Sequence, residues 1–526
     1  MKIKSMLRNI LSNWVAIIIV GITTFLLTPF LIHRLGNIEF GIWMLVSSIC
    51  GYSGLLEFGL RATVQRYVAR FRGLDDHDSL NQTFMTALAM TVATGVFIFV
   101  SMFSLAWVLP RFFGLAGQRE HDFTSLLIVL GASIGFGLVS MLFGTYLCGW
   151  QRFELYNLSG VTKVVTQAIL TVVVLRLGYG VVAMGVVTLA GTICFLPLDW
   201  SLARHVDPRL RIDWSLPSRA RARELLEFSV WMFLNSMGIR LRTFTDSIVI
   251  GRVLSVALIA PFSVAGRLMQ YFDPIINSIV SPMLPVMSEY DGQGRQQELR
   301  DFFLKATKIT ALVSLLIASI LVLDARLLLR VWVGEEFVST YPLVLILLAG
   351  YVFELAQRPS TTALVALGRH RALGSWTLGE GLANLLLSVY WGHTYGLIGV
   401  ALGTTVPLVV VKLTLQPWYT LRMLGISTRE YLVSSLLRPI LVCVLFLGGG
   451  YWLMSPSASG IFELGFTVAW QGLLFCAITW MVGLSSSEKS QVRERCLAVI
   501  STLRMPEPAK TPTREAEPVE EIVNVG

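Results

Sequence analysis

The stretch FSVWMFLNSMGIRLRTFTDSIVIG, residues 228–251, is long and apolar enough to cross a bilayer, yet it contains two arginines and an aspartate. A charge at membrane depth costs about 2.5 kcal/mol or more, so it usually faces a protein interior or a watery cavity. One face of the predicted helix carries Asn235, Arg242 and Asp246, and a second face carries Ser236, Arg240, Thr243 and Ser247. Two interpretations stay open: Arg242 and Asp246 form a structural pair at i, i+4, or these charges contact a substrate.

The composition of the whole chain is that of a membrane protein. Of the 526 residues, 54% are hydrophobic and only 14% are charged, whereas about 25% are charged in soluble domains. The net charge of +9 indicates Arg and Lys held on the cytoplasmic side rather than nucleic-acid binding. Five of the six cysteines lie in apolar runs and none forms a CxxC motif, which predicts free thiols and no metal site.

Apolar segments of about the 20 residues that a bilayer requires recur along the chain. They predict an all-α polytopic membrane protein with about 14 transmembrane helices, the first of them uncleaved. The predicted spans cover residues 12–33, 40–60, 83–108, 124–149, 160–178, 180–202, 227–251, 255–285, 303–323, 341–367, 374–392, 395–420, 434–454 and 461–484. With the N-terminus inside, 29 basic residues are cytoplasmic and 7 are external, which predicts that both termini are cytoplasmic.

The first twelve predicted spans resemble two copies of one six-helix unit. Three short motifs recur at offsets of 216 to 219 residues: YGVVA at 179–183 as YGLIG at 395–399, LIHRL at 31–35 as VIGRV at 249–253, and GWQR at 149–152 as GRHR at 368–371. An even number of spans per copy predicts two lobes related by a pseudo-twofold axis along the membrane normal. The predicted divisions are an N-lobe (1–203), a basic cytoplasmic linker (204–226), a C-lobe (227–421), two more helices (422–485) and a cytoplasmic tail with a disordered end (486–526).

Charged residues remain inside the predicted spans after the loops are assigned. The basic ones are Arg240, Arg242, Arg267, Lys308, Arg358 and Lys412, and the acidic ones are Glu57, Asp246, Asp273, Glu354 and Glu380. Lys308 is close enough to a helix end to reach the membrane surface, whereas the other five cations are expected to face the interior. Glu354 and Arg358 have the spacing of a structural pair, and Asp273 precedes Pro274 at a predicted helix break.

The arginines of the seventh and eighth spans predict an anionic ligand. Arg240, Arg242 and Arg267 lie near mid-depth, and Asp246 is the one acidic residue close to them on those two helices. Surplus positive charge in a low-dielectric space is unfavourable unless water or an anion compensates it. A phosphate or diphosphate headgroup would do so. The candidate substrate-binding residues are Arg240, Arg242, Arg267, Arg358 and Lys412.

No catalytic motif accompanies these charges. The sequence has no Walker loop, HExxH or GxSxG motif, and its six histidines are scattered. The prediction is therefore a transporter without a cofactor rather than an enzyme, driven by a gradient or by substrate supply.

Several short motifs resemble one family of membrane transporters. They are NW at 13–14, TPFLIHRLG at 28–36, FGIW at 40–43, LLEFGL at 55–60, VQRYVA at 64–69 and the YG turns at 179 and 395. With these motifs the chain resembles the polysaccharide transporter family, the Wzx-type oligosaccharide flippases of the MATE-like multidrug/oligosaccharidyl-lipid/polysaccharide exporter superfamily. The likeness is densest in the first 70 residues and extends over about residues 1–484.

The resemblance implies a V-shaped pair of lobes with a cavity between helices 1, 2, 7 and 8. It implies alternating-access transport of an undecaprenyl-diphosphate-linked oligosaccharide, for O-antigen, capsule or exopolysaccharide, across the bacterial plasma (inner) membrane. A proton or sodium gradient would drive it, with Asp246, Asp273 and Glu57 as candidate ion-coupling residues. Glycan-assembly proteins would be its partners. The alternatives are a cation-coupled drug exporter of the same superfamily and a membrane-embedded glycan polymerase or transferase.

Overall fold

The computed structural model describes residues 3–57, 60–227, 230–453 and 460–503, and within these ranges the chain is helical with no strand. Ten segments of the described chain are long and apolar enough to cross a membrane. Two of these segments each join two helices across a glycine with positive φ, Gly36 (70°) and Gly396 (62°). The charged helix around Arg242 is not among the ten. The all-helical, multi-span class is confirmed, while the count of 14 stays a prediction.

The first half of the chain, called the N-lobe here, consists of seven helices. They are α1 (Ile3–Gly51), α2 (Leu60–Gly73), α3 (His77–Ala106), α4 (Leu109–Phe112), α5 (Gln118–Gly149), α6 (Phe153–Arg176) and α7 (Val181–Val206). The second span, predicted to run to residue 60, leaves the α-helix at Gly51 and continues as a 3₁₀ turn, Tyr52–Glu57. Helix α8 (Arg219–Glu227) lies in the basic linker.

The C-lobe contains α9 (Val230–Val249), α10 (Ile259–Gln270), α11 (Asp273–Val280), α12 (Met283–Gly292), α13 (Gln296–Trp332), α14 (Tyr341–Ala356), α15 (Arg358–Ala366), α16 (His370–Val410) and α17 (Gln416–Leu424). The region predicted as the eighth span, 255–285, is divided among α10, α11 and α12, and the helix break predicted at Pro274 is present. Pro274 lies in the first turn of α11, and Pro282 immediately precedes α12. Proline disfavours helical backbone in the residue before it and lacks the N–H that would continue the helix.

Turns with positive φ recur in the two halves of the chain, as an internal repeat requires. Four of the six positive-φ residues in the first half have a positive-φ counterpart 217 to 219 residues later. The pairs are Asp75 with Gly294, Gly117 with Gly334, Gln151 with Gly368, and Gly178 with Gly396.

One apolar core joins the two halves of the chain, since α1 and α5 bury residues in the same cluster as α10, α13 and α14. The residue limits assigned to the lobes remain predictions.

The remaining described helices pack against α13. They are α18 (Thr428–Tyr431), α19 (Arg438–Leu453), α20 (Ile461–Ile478) and α21 (Ser486–Leu503). Lys308 of α13 is 4% exposed, and its Nζ lies 2.6 Å from Oε2 of Glu488 in the first turn of α21. Lys308 therefore reaches a carboxylate at the helix end rather than open solvent. The end predicted to be disordered, residues 505–526, lies outside the described residues.

Candidate functional site

The site is organised by the crossing of α9 and α16. A Cβ on Gly238 of α9 would lie only 2.2 Å from the carbonyl oxygen of Thr377, and one on Gly381 would lie 2.7 Å from the carbonyl oxygen of Gly238. Without side chains at these two positions, the helix backbones touch. Residues one and two turns farther along α9 must therefore meet side chains of α16.

Arg242, one turn after Gly238, inserts between two carboxylates. Its Nη1 donates to Oε2 of Glu354 at 2.5 Å and to Oε1 of Glu380 at 2.6 Å, and its Nη2 donates to Oε1 of Glu354 at 3.2 Å. Glu354 comes from α14 and Glu380 from α16, and both are buried. A forked guanidinium suits this bridging role, because it presents several donors in one plane.

Three more charges complete what we call the C-lobe charge network: Arg242, Asp273, Glu354, Arg358, Glu380 and Lys412. Lys412 lies 3.8 Å from Glu354 and 3.9 Å from Glu380. Arg358 lies 2.7 Å from Asp273 and 3.5 Å from Glu354, so the predicted pair of Glu354 with Arg358 is present. Three cations face three carboxylates, which makes the network neutral.

The structure corrects two expectations about Arg242. The interpretation of Arg242 and Asp246 as an ion pair is wrong, because among the described side chains Asp246 has no cation within 4.0 Å. Arg242 also carries no surplus charge, since acids on α14 and α16 compensate it. Its long side chain extends away from α9 to these neighbours, whereas the short side chain of Asp246 stays at the α16 contact.

Asp246 lies in an oxygen-rich pocket two turns beyond Gly238. The Nδ2 of Asn384 donates to its Oδ1 at 3.2 Å, and the hydroxyl of Thr404 donates to its Oδ2 at 2.7 Å. The Ser388 hydroxyl and the Val400 carbonyl oxygen adjoin them. We call these five residues the Asp246 oxygen cluster. The Oδ1 of Asn384, a fully buried residue, is buried without a hydrogen-bond partner in the structure.

Arg240 faces the opposite way, toward the N-lobe. Its Nη1 donates to the carbonyl oxygen of Gly51 at 2.5 Å, where the helix gives way to the 3₁₀ turn. Nearby, the hydroxyls of Tyr52 and Thr245 lie 2.6 Å apart, a second link between the lobes. The two polar faces predicted for this helix thus point at different surroundings, one inside the C-lobe and one at the lobe interface.

Arg267 of α10 lines a cavity of about 560 Å³ between the lobes. Residues of α1 and α6 form its N-lobe wall, and residues of α10 and α11 form its C-lobe wall; we call it the interlobe cavity. Arg267 donates to Thr28 Oγ1 and Met44 Sδ, both at 3.3 Å, and its Nε is buried with no acceptor. No carboxylate pairs with it among the described side chains.

The structure separates the candidate residues into groups. Arg242, Arg358, Lys412 and Asp273 belong to one network, Asp246 lies beside it, Arg240 and Arg267 lie at the lobe interface, and the side chain of Glu57 lies outside the described residues. Sequence reasoning did not identify Asn384, Ser388 and Thr404. A pattern for two of them was present, since Glu380, Asn384 and Ser388 follow one another at four-residue intervals in an apolar helix.

Comparison with known proteins supplies the family. The model of the family described as polysaccharide biosynthesis protein matches residues 35–342. The "Uncharacterized membrane protein EpsK" of Bacillus subtilis is 22% identical over 83% of this chain and 87% of its own length. The "Probable low-salt glycan biosynthesis flippase Agl15" of Haloferax volcanii is 23% identical over 73% of this chain and 77% of its own length.

Solved structures supply the fold. The chain matches the lipid II flippase MurJ in an inward closed conformation with a TM-score of 0.68 and 14% identity, over 90% of this chain and 98% of MurJ. It matches an inward-facing multidrug MATE transporter equally well, at 0.68 with 18% identity over 77% of this chain and 95% of that one. An outward-facing MATE structure matches less well, at 0.54. The chain therefore belongs to the polysaccharide biosynthesis protein family, and its fold is similar to the folds of MurJ and of the MATE transporter.

Proposed function

We propose that this protein is a flippase that moves an undecaprenyl-diphosphate-linked oligosaccharide from the inner to the outer leaflet of a bacterial plasma membrane. The glycan would be a unit of O-antigen, capsule or exopolysaccharide. Family membership, a relative named as a glycan biosynthesis flippase and the MurJ-like fold support this proposal. Both termini would be cytoplasmic, in keeping with the basic residues of the cytoplasmic segments.

The observation that carries the proposal is the uncompensated guanidinium of Arg267 in the interlobe cavity. Arg267 is partly buried, and a partly buried cation without a carboxylate partner among the described side chains favours an anion nearby. A guanidinium fits phosphate oxygens with two parallel N–H donors. Gln270, Asn157 and Tyr156 line the same cavity and offer hydrogen bonds to sugars. Arg240 is the second interface arginine for this anion. The other predicted substrate contacts remain Arg242, Arg358 and Lys412. In this structure, carboxylates compensate the charges of these three residues.

Translocation in liposomes tests this function directly. We expect purified wild-type protein to move a fluorescent undecaprenyl-diphosphate oligosaccharide between leaflets, and to move an uncharged polyprenol glycan at least about tenfold more slowly, because only the diphosphate engages the guanidinium. Equal translocation rates for the two lipids would show that the protein does not recognise the diphosphate headgroup. No movement of either lipid, together with export of cationic drugs, would instead favour the multidrug exporter that the MATE-like fold allows.

We further propose that a monovalent cation or a proton binds at the Asp246 oxygen cluster and couples a gradient to transport. Counted together, the C-lobe charge network and the neighbouring Asp246 contain three positive and four negative side chains, one cation short of neutrality. Carboxylate, amide, hydroxyl and carbonyl oxygens are the ligands of hard cations such as Na⁺. The unpartnered Oδ1 of Asn384 provides a further oxygen for such an ion. Asp273 and Glu57 remain the other ion-coupling candidates.

Replacing Asp246 with asparagine should abolish the response of transport to an ion gradient. Wild-type translocation is expected to accelerate under an imposed Na⁺ or H⁺ gradient, whereas the rate of Asp246→Asn should be the same with and without it. The matched control is Asp199→Asn, which alters another buried carboxylate, held by Ser140 and Ser159 in the N-lobe. A gradient response retained by Asp246→Asn, or lost equally in Asp199→Asn, would contradict the assignment.

A further inference from the structure

Three aromatic rings join the lobes next to the interlobe cavity. Phe25 of α1 stacks on Trp332 of α13, with ring centroids 4.9 Å apart and planes 10° from parallel. Tyr271, immediately after α10, meets both rings edge-on, at 5.6 Å from Phe25 and 5.9 Å from Trp332. The indole Nε1 of Trp332 also donates to the carbonyl oxygen of Phe25 at 2.9 Å. We call Phe25, Tyr271 and Trp332 the aromatic triad.

The aromatic triad lies where the cavity ends. Along α1 the cavity wall runs from Ala16 to Thr24 and stops there, one residue before Phe25. Tyr271 belongs both to the cavity wall and to the triad. Trp332 is the last residue of α13 and, in the predicted orientation, lies toward the outer surface. The opposite part of the wall contains Tyr156 and Asn157, near the cytoplasmic start of α6. The rings therefore lie at the end of the cavity that the predicted orientation places toward the outside.

Thr28 connects the triad to the headgroup arginine. Its hydroxyl oxygen accepts a hydrogen bond from Arg267 at 3.3 Å and lies 3.4 Å from the hydroxyl of Tyr271. Thr28 is 1% exposed and lies one helical turn beyond Phe25. An anion that draws the guanidinium of Arg267 toward the cavity would therefore remove a contact that holds α10 against α1, beside the rings.

We propose that the aromatic triad is the outer gate of the transport pathway, closed in this structure and opened when the lobes rock. The inference rests on the proposed flippase function and the predicted orientation. Each ring pair adds attraction beyond simple burial, so several such contacts can hold one end of a two-lobe transporter shut without a covalent or ionic lock. An inward-facing transporter is closed on its outer side, where the triad lies in the predicted orientation. In agreement with this, the TM-score is higher with the inward-facing MATE structure, 0.68, than with the outward-facing one, 0.54. Phe25 and Trp332 are positioning residues, since they act through the closure of the lobes.

Thiol labelling from outside intact cells tests the gate without requiring any substrate. A membrane-impermeant thiol reagent is applied to Thr24→Cys, whose cysteine lies in the cavity wall below the rings, and labelling of the otherwise identical protein without that cysteine is subtracted. We expect Thr24→Cys to be protected and the added change Trp332→Ala to raise its labelling rate about tenfold. Trp332→Phe keeps a stacking ring and should restore most of the protection.

The control for a general loosening of the fold is Trp107→Ala, which truncates an exposed tryptophan of the N-lobe far along the chain from the triad. It should leave Thr24→Cys protected. Unchanged protection in Trp332→Ala, or an equal rise in Trp107→Ala, would overturn the gate. If labelling changes as expected while the diphosphate lipid is not transported, the result supports the gate and contradicts the proposed substrate.

Discussion

Arg242→Ala is expected to lower the free energy of unfolding by about 3–5 kcal/mol, because it leaves buried carboxylates without their main partner. Among the described side chains, Glu380 would keep Lys412 at 3.9 Å, and Glu354 would keep Arg358 and Lys412 at 3.5 and 3.8 Å. Two cations would then face three carboxylates, and the one uncompensated negative charge is unfavourable inside a membrane helix bundle. The fraction of detergent-solubilised protein that stays monodisperse after heating measures this loss. We expect a much smaller fraction for Arg242→Ala than for wild type at the same temperature.

A double variant separates charge balance from simple truncation. Arg242→Ala with Glu380→Gln leaves two cations facing two carboxylates in the C-lobe charge network. It should recover much of the lost stability, since no carboxylate then lacks a partner. Arg252→Ala, which changes an exposed arginine shortly after α9, should behave as wild type. Arg242→Ala with the heat resistance of wild type would show that the network contributes little to folding.

The sequence predicted the fold class because long apolar segments and the distribution of basic loops are local properties. It also placed Arg242 in a protein interior. It did not predict the partners of Arg242, because Glu354 and Glu380 lie 112 and 138 residues away and only packing brings them together. The i, i+4 spacing with Asp246 indicated proximity, but the direction of each side chain decided the contact.

The charge balance of each arginine depends on acids from every neighbouring helix. The prediction of surplus positive charge considered acids on the seventh and eighth helices only. For Arg242 this was wrong, since α14 and α16 supply two carboxylates. For Arg267 the same count agrees with the structure, because no described carboxylate pairs with it and its Nε has no acceptor. Arg242 and Arg267 therefore have different surroundings although they lie on neighbouring helices. The same substitution, arginine to alanine, should have different effects on stability and transport at the two positions.

Arg267→Ala is expected to reduce translocation of the diphosphate-linked oligosaccharide roughly 10- to 100-fold while leaving the protein folded. The loss corresponds to a hydrogen-bonded, charged contact with the headgroup. Folding should change little, because among the described residues the hydrogen bonds of Arg267 are two long ones, to Thr28 and Met44 at 3.3 Å, and its buried Nε is unsatisfied. Initial rates in liposomes, normalised to the amount of monodisperse protein, measure the effect.

Two further variants define what Arg267 contributes. Arg267→Lys keeps the positive charge but loses the planar fork, so translocation should fall between those of wild type and Arg267→Ala. Gln270→Ala removes a neutral polar side chain from the same cavity wall and should cost less than Arg267→Ala. Together with Arg242→Ala, these variants separate the roles of the two arginines. Arg242→Ala should lower the amount of folded protein, whereas Arg267→Ala should lower the translocation rate of protein that remains folded. Full translocation by Arg267→Ala, or heat sensitivity equal to that of Arg242→Ala, would mean that Arg267 is structural and that the anion is held elsewhere.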